Sequence, residues 1–263
     1  MFVERIPRMK YYISYLLFDD YDEKSLFDCF VDDIRSCSKR FVVTPNLDFL
    51  RMAYRDPQFR KILNEADYST IDGKPLLRLA KKTNKSLKPH KISGSDMVND
   101  FLPVIDENGW SVLIVGGKEG VGDKAAQNIK KSYPNIVVSG VICPEFGFEK
   151  DEKKTKEVVD AINDYNSDVV LICLGAPKQE KLYYLNKDSF KKGLFFCVGA
   201  TVDFLAGTTK RAPRWISKIG LEWFYRMTKD FGRLFPRYFK DGLFLIKLKW
   251  LLTFNKKRII SLR

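Results

Sequence analysis

Histidine is nearly missing from this chain: His90 stands alone among 263 residues. Serine–histidine–aspartate chemistry is excluded unless His90 itself is the base. A zinc site has no cysteine cluster to draw on, because the five cysteines (29, 37, 143, 173 and 197) form no C-x-x-C pair. Cys173 and Cys197 lie inside apolar runs, which predicts buried, reduced thiols and a cytosolic setting. No apolar run reaches the ~18 residues that a membrane-crossing helix needs. The opening "MFVERIPRMKYYISYLLFDDYDEK" lacks the apolar stretch and cleavage site of a secretory signal. The G-x-G-x-x-G dinucleotide fingerprint is also absent, since Gly116, Gly117, Gly120 and Gly122 do not fit its spacing.

What is present is unevenly spread. The net charge is +13, and the segment from Thr208 to Arg263 carries +12 of it: 15 Lys or Arg against Glu222, Asp230 and Asp241. Three of the four tryptophans lie there too. Upstream, short apolar runs at 41–44, 67–71, 111–116, 136–142, 168–175 and 193–200 alternate with helical patterns of period near 3.6, among them 22–36, 46–65 and 177–187. Runs without polar alternation, each followed by a helix, predict an α/β fold: a Rossmann-like parallel sheet with helices on both faces. After "VGATVDFLAG" the alternation stops. The predicted organisation is an α/β core over 1–205 and a basic, aromatic-rich helical appendage over 206–263 that associates with a membrane.

Ligands of such sheets bind at the carboxyl ends of the strands. Thr44 or Asn46 suits a helix cap, and the same groups can hold a sugar or phosphate at the helix N-terminus. Asp72-Gly73 reads as turn punctuation or as a general base at the end of a buried strand. Gly116-Gly117 let a backbone approach a phosphate closely. Pro177 and Glu180 suit a first helical turn, but Lys178 does not, because a cation at a helix N-terminus is unfavourable. Asp203 falls in a Gly-flanked loop after the last strand. Asp20-Tyr21-Asp22 matches the D-x-D pattern by which sugar-nucleotide enzymes hold a metal, yet it stands where acids cap a helix.

In order, "VTPNLDFL", "DGKP", "KISGSDMV", "LIVGGKEGVGDKAA", "CPEFGF", "LICLGAPKQE", "VGATVDFLAGTTKRAPRW" and "GLEWFYRM…GRLFPRY" resemble the WecG/TagA/CpsF family of bacterial glycosyltransferases, from about residue 10 to residue 240. The resemblance implies an inverting, metal-independent transferase. It implies transfer of N-acetylmannosamine, its uronate or a hexose from a UDP donor to an undecaprenyl-diphosphate-linked sugar, in teichoic acid, capsule or exopolysaccharide synthesis. By position, Asp72 matches the family's proposed base, with Thr44 and Asn46 in the same pocket. Gln179 and Asp203 match residues near the nucleotide and donor sugar, and Arg211, Arg226, Arg233 and Arg237 fall in a basic motif implied to close over the site. The site so implied has Asp72, Thr44, Arg226, Arg233 and Arg237 in catalysis. Asn46, Gly116, Gly117, Gln179 and Asp203 surround the donor, Lys91 and Arg211 meet the acceptor or diphosphate, and no metal or cofactor is used. Two departures stand out. Lys91 replaces the family's usual Arg and cannot form a bidentate fork, and "DFGR" replaces the usual acid-Pro before the last arginines.

Residues 239–254 are strongly apolar and interrupted by Lys240, Lys247 and Lys249. Such a helix lies in a membrane interface without crossing it; packing on the domain with its lysines solvated is the alternative. The implied partners are the UDP-sugar, the lipid-linked acceptor and the inner surface of the cell membrane, with peripheral attachment there; a homo-oligomer is left open. Two rival functions are nucleic-acid binding by the basic aromatic segment and a nucleotide-dependent oxidoreductase on the same type of sheet. The first leaves the acidic strand-end loops without a use, and the second lacks its fingerprint, so no nucleic-acid partner is expected.

Overall fold

Alternation along the strands sorts the interior into two layers. The computed structural model describes residues 9–83, 89–209, 222–229 and 231–254. Among them, six strands form one parallel sheet: β3 (Lys39–Val43), β4 (Tyr68–Ser69), β5 (Ser111–Gly116), β6 (Val137–Ile142), β7 (Val169–Cys173) and β8 (Gly193–Cys197), in the order β4-β3-β8-β7-β5-β6. Phe41, Val43, Leu113, Val115, Val170, Ile172 and Phe195 point into one core, and Val42, Val112, Ile114, Val169, Leu171 and Phe196 into the other. Period-two geometry requires this division, and with both faces covered the central strands read as near-continuous apolar runs.

The first core is closed by α2 (Leu47–Arg55), α3 (Pro57–Asn64), α4 (Lys74–Thr83), α7 (Glu152–Tyr165) and α8 (Lys178–Leu185). The second is closed by α1 (Glu23–Arg35), α5 (Gly94–Asn108), α6 (Val121–Ser132) and α9 (Thr201–Leu205). The predicted parallel sheet with helices on both faces is therefore what the chain forms. The continuous helix read over 46–65 is two helices, because Pro57 opens α3 and the Asp56 carboxylate caps it by accepting from Phe59 N–H at 3.0 Å.

One element was not legible. β1 (Lys10–Ile13) and β2 (Leu16–Asp19) form an antiparallel hairpin whose turn is Ser14-Tyr15. Ser14 adopts φ 62°, a conformation usually announced by Gly or Asn. With neither present, the sequence gives no turn signal.

Two further helices, α10 (Glu222–Lys229) and α11 (Phe231–Phe254), are described beyond residue 209. α11 lays Leu234, Asp241, Phe244, Leu248 and Leu251 inward, each buried, at spacings that follow one helical face. Phe244, Leu248 and Leu251 join the first core, and Phe244 meets Tyr54 of α2 with ring centroids 5.7 Å apart. The opposite face carries Phe231, Phe235, Phe239, Leu243, Ile246 and Trp250, all exposed. The buried face matches the reading of a helix packed on the domain, and the opposite face is apolar and exposed. No described helix is long and apolar enough to cross a membrane.

Candidate active site

The backbone gathers three separated segments at one edge of the sheet. Asp72 N–H donates to Pro45 O and Ile92 N–H to Ile71 O, both at 3.0 Å, while Ile71 forms an isolated parallel bridge with Lys91. Asn46, Asp72 and Lys91 therefore come to the same strand ends. Gly73 turns the chain immediately after Asp72 at φ 91°, a conformation that favours glycine. Thr44 is buried beside the start of α5: a Cβ on Gly94 would stand 2.9 Å from Thr44 Oγ1 and 3.1 Å from Val198 at the end of β8. The glycine permits that approach.

A cleft of about 400 Å³ opens here. Asn46, Asp72 and Lys91 line it from the core, and Trp223, Arg237 and Tyr238 line it from α10 and α11. Asn46 also caps α2, its side-chain oxygen accepting from Asp48 N–H at 3.0 Å and Phe49 N–H at 3.3 Å. Lys91 Nζ lies 3.5 Å from an Asp96 carboxylate oxygen. Arg237 Nε is 2.8 Å from Asp48 Oδ2, Arg51 pairs with Asp48, and Arg51 Nε donates to Asp241 Oδ1 at 2.7 Å. Two guanidiniums and two carboxylates thus join α2 to α11 at the cleft wall. Burial pushes the Asp241 carboxyl above its ordinary range, opposed by the hydrogen bond from Arg51 and reinforced by Asp48. Asp48, Asp241, Trp223 and Tyr238 were not anticipated as cleft residues. The Asp48–Arg51 spacing of i,i+3 was the one visible trace of this network.

The other predicted residues assemble at the ends of β5, β7 and β8. Gly116 and Gly117 turn with φ 107° and 93°, and a Cβ on Gly116 would stand 2.7 Å from Cys173 O. Gln179 is buried; its Nε2 donates to Glu180 Oε1 at 2.6 Å, and its Oε1 accepts from Gly199 N–H at 3.0 Å. Glu180 is fully enclosed, and burial pushes its carboxyl up to about 7 despite the Gln179 hydrogen bond. Asp203, read from the sequence as a loop residue, instead lies half-buried in the short helix α9, close enough to Cys173 to help raise its thiol, which burial chiefly pushes up to about 12.

The predicted residues therefore fall in two groups, with β3, β8 and β7 spanning from the Asp72 edge to the Gly116-Gly117 turn. Arg211 lies outside the described residues, as do the side chains of Arg226 and Arg233, whose backbones belong to α10 and α11. Asp22 of the D-x-D pattern caps α1, its Oδ1 accepting from Ser25 N–H at 2.8 Å. Among the described residues no three His, Cys, Asp or Glu side chains cluster in a way that could hold a metal ion.

Comparison with known proteins bears on this geometry. The model of the glycosyl transferase WecG/TagA/CpsF family matches residues 12–258. A Bacillus subtilis (strain 168) protein named N-acetylglucosaminyldiphosphoundecaprenol N-acetyl-beta-D-mannosaminyltransferase is 29% identical over 228 residues, 86% of this chain and 84% of its own. A protein of the same name from Staphylococcus aureus (strain MRSA252) is 27% identical over 200 residues, 76% of each chain. With strand-end motifs, fold and family model in agreement over nearly the whole length, the chain belongs to the WecG/TagA/CpsF family and is a glycosyltransferase.

Proposed function

We propose that the enzyme transfers an N-acetyl-β-D-mannosaminyl group from a UDP donor to N-acetylglucosaminyl-diphosphoundecaprenol, with inversion and without a metal ion. The two relatives' names support this sugar and this acceptor over the uronate and hexose alternatives. The observation that carries the chemistry is the shared cleft, with Asp72 on one wall and Arg237 on the other. Asp72 takes the proton of the acceptor hydroxyl as its oxygen bonds to the anomeric carbon. The bond from that carbon to the UDP oxygen breaks, and UDP leaves with the electron pair. Arg237 and Lys91, with Arg211, Arg226 and Arg233, offset the charge that develops on the diphosphate. Asn46, Gly116, Gly117, Gln179 and Asp203 serve the donor, and Thr44, buried just after β3, serves catalysis beside Asp72.

The acceptor's lipid stays in the bilayer, so the site must come to it. The exposed stripe of α11, from Phe231 to Trp250 and flanked by exposed Lys240, Lys247 and Lys249, suits an anionic membrane surface. Peripheral attachment to the inner face of the cell membrane follows from this reading. A panel of UDP-sugars offered with a short-chain lipid-diphosphate N-acetylglucosamine acceptor, read by UDP release, tests it. Acceptor-dependent release is expected with UDP-N-acetylmannosamine; release with another UDP-sugar alone overturns the donor assignment.

A further inference from the structure

We propose that Lys178 is a cation for the donor's diphosphate, held ready across the end of β5 by Glu149 and Phe146. This rests on reading the site as one for a nucleoside-diphosphate sugar. Lys178 opens α8, where the helix dipole disfavours a cation. The side chain is not simply extended into solvent. Its Nζ lies 2.6 Å from Glu149 Oε1 and 4.6 Å from the centroid of the Phe146 ring.

Strand order gives that ion pair its meaning. Lys178 follows β7 and Glu149 follows β6, and β5 lies between those two strands. The pair therefore spans the end of β5, where Gly116 and Gly117 turn with positive φ, packed against Cys173 O and the Val202 side chain. The same β6–α7 loop is tied to this turn, since Cys143 Sγ donates to Gly117 O at 3.5 Å. Phe146 is 98% exposed, so core packing does not account for it. Lys178 keeps 33% of its side chain exposed and remains within reach of an incoming anion.

A lysine held by one carboxylate can exchange that partner for a phosphate oxygen, because its ammonium is a compact point charge with three rotatable donors. Glu149 gives up one ion pair and the diphosphate gains one, at the end of β5. The Lys178 hydrogen bond holds the Glu149 carboxyl below its ordinary range. In the reaction the same ammonium would face the charge that grows on departing UDP.

The test is calorimetric titration of the full chain with UDP, with uridine and with a short prenyl diphosphate, in wild type, Lys178→Met and Glu149→Gln. Lys178→Met should weaken UDP by about tenfold or more, the scale of a lost charge-assisted hydrogen bond, and leave uridine and the prenyl diphosphate unchanged. Glu149→Gln removes the competitor and should tighten UDP. If Lys178→Met binds UDP like wild type, or weakens uridine equally, the assignment is wrong while the donor reading stands. Loss of the prenyl diphosphate alone would move Lys178 to the acceptor and overturn the proposal. Should Lys178→Met fail to fold, Glu149→Gln decides: weaker UDP binding there makes the pair a structural brace. Wild type that binds no UDP would sink the donor reading together with this one.

Discussion

Replacing Leu248 by Ala asks whether α11 is a docked appendage or an integral part of the core. Leu248 is fully buried on the face of α11 that packs against α2, in the same cluster as Leu50 and Ala53. A buried Leu→Ala change costs about 2–5 kcal/mol, from lost transfer energy and the cavity left behind. If α11 opens as its own unit, that cost falls on its docking and not on the sheet. Native-state hydrogen exchange should then show the amides of α11 opening about 30-fold faster or more, the lower end of that cost at 1.4 kcal/mol per tenfold, with β5, β7 and β8 unchanged. Turnover should fall as well, because Trp223 and Arg237 would leave the cleft, while UDP still binds at the ends of β5 and β7. Equal loss of protection in α11 and in the central strands would refute the division of the chain after residue 205. The apolar face of α11 would then be core, and a chain truncated near Thr208 would not fold.

Asp72→Asn keeps the shape of the side chain but cannot take a proton; turnover should drop ~10²–10⁴-fold with an unchanged melting temperature, and near-normal turnover would remove Asp72 as the base. Transfer should persist in EDTA, and Asp22→Ala should cost ~1 kcal/mol of stability through the lost α1 cap while sparing activity; activity lost to EDTA and restored by a divalent cation would contradict this. Glu180 binds its proton more tightly folded than unfolded, from 4.5 up to about 7. Between those values the native state holds more protons, so this group's contribution to stability is full below about 4.5 and is lost as pH rises through about 7. Glu180→Gln should therefore flatten the pH dependence in urea melts and exceed wild type at pH above ~7, by up to roughly 3 kcal/mol at 1.36 kcal/mol per unit; a variant less stable than wild type there would show that the carboxylate has a charge partner.

The sequence by itself determined most strands and helices of the core, because strands buried on both faces read as near-continuous apolar runs and the helices between them keep one apolar stripe. It also marked Asp72, Asn46 and the Gly116-Gly117 turn, since the ends of such strands are where backbone and polar groups lie open. The β1–β2 hairpin escaped because Ser14 takes a left-handed turn without Gly or Asn to announce it. Tertiary structure alone decided the rest. Residues 239–254 are apolar around most of the helix, so periodicity could not choose the buried face; the contact of Asp241 with Arg51 and the fit of Phe244, Leu248 and Leu251 against α2 chose it. Strand order, set by which edges pair and not by chain sequence, placed Lys178 across β5 from Glu149. It likewise brought Arg237 to the cleft of Asp72, a juxtaposition between residues far apart in the chain that no local pattern encodes.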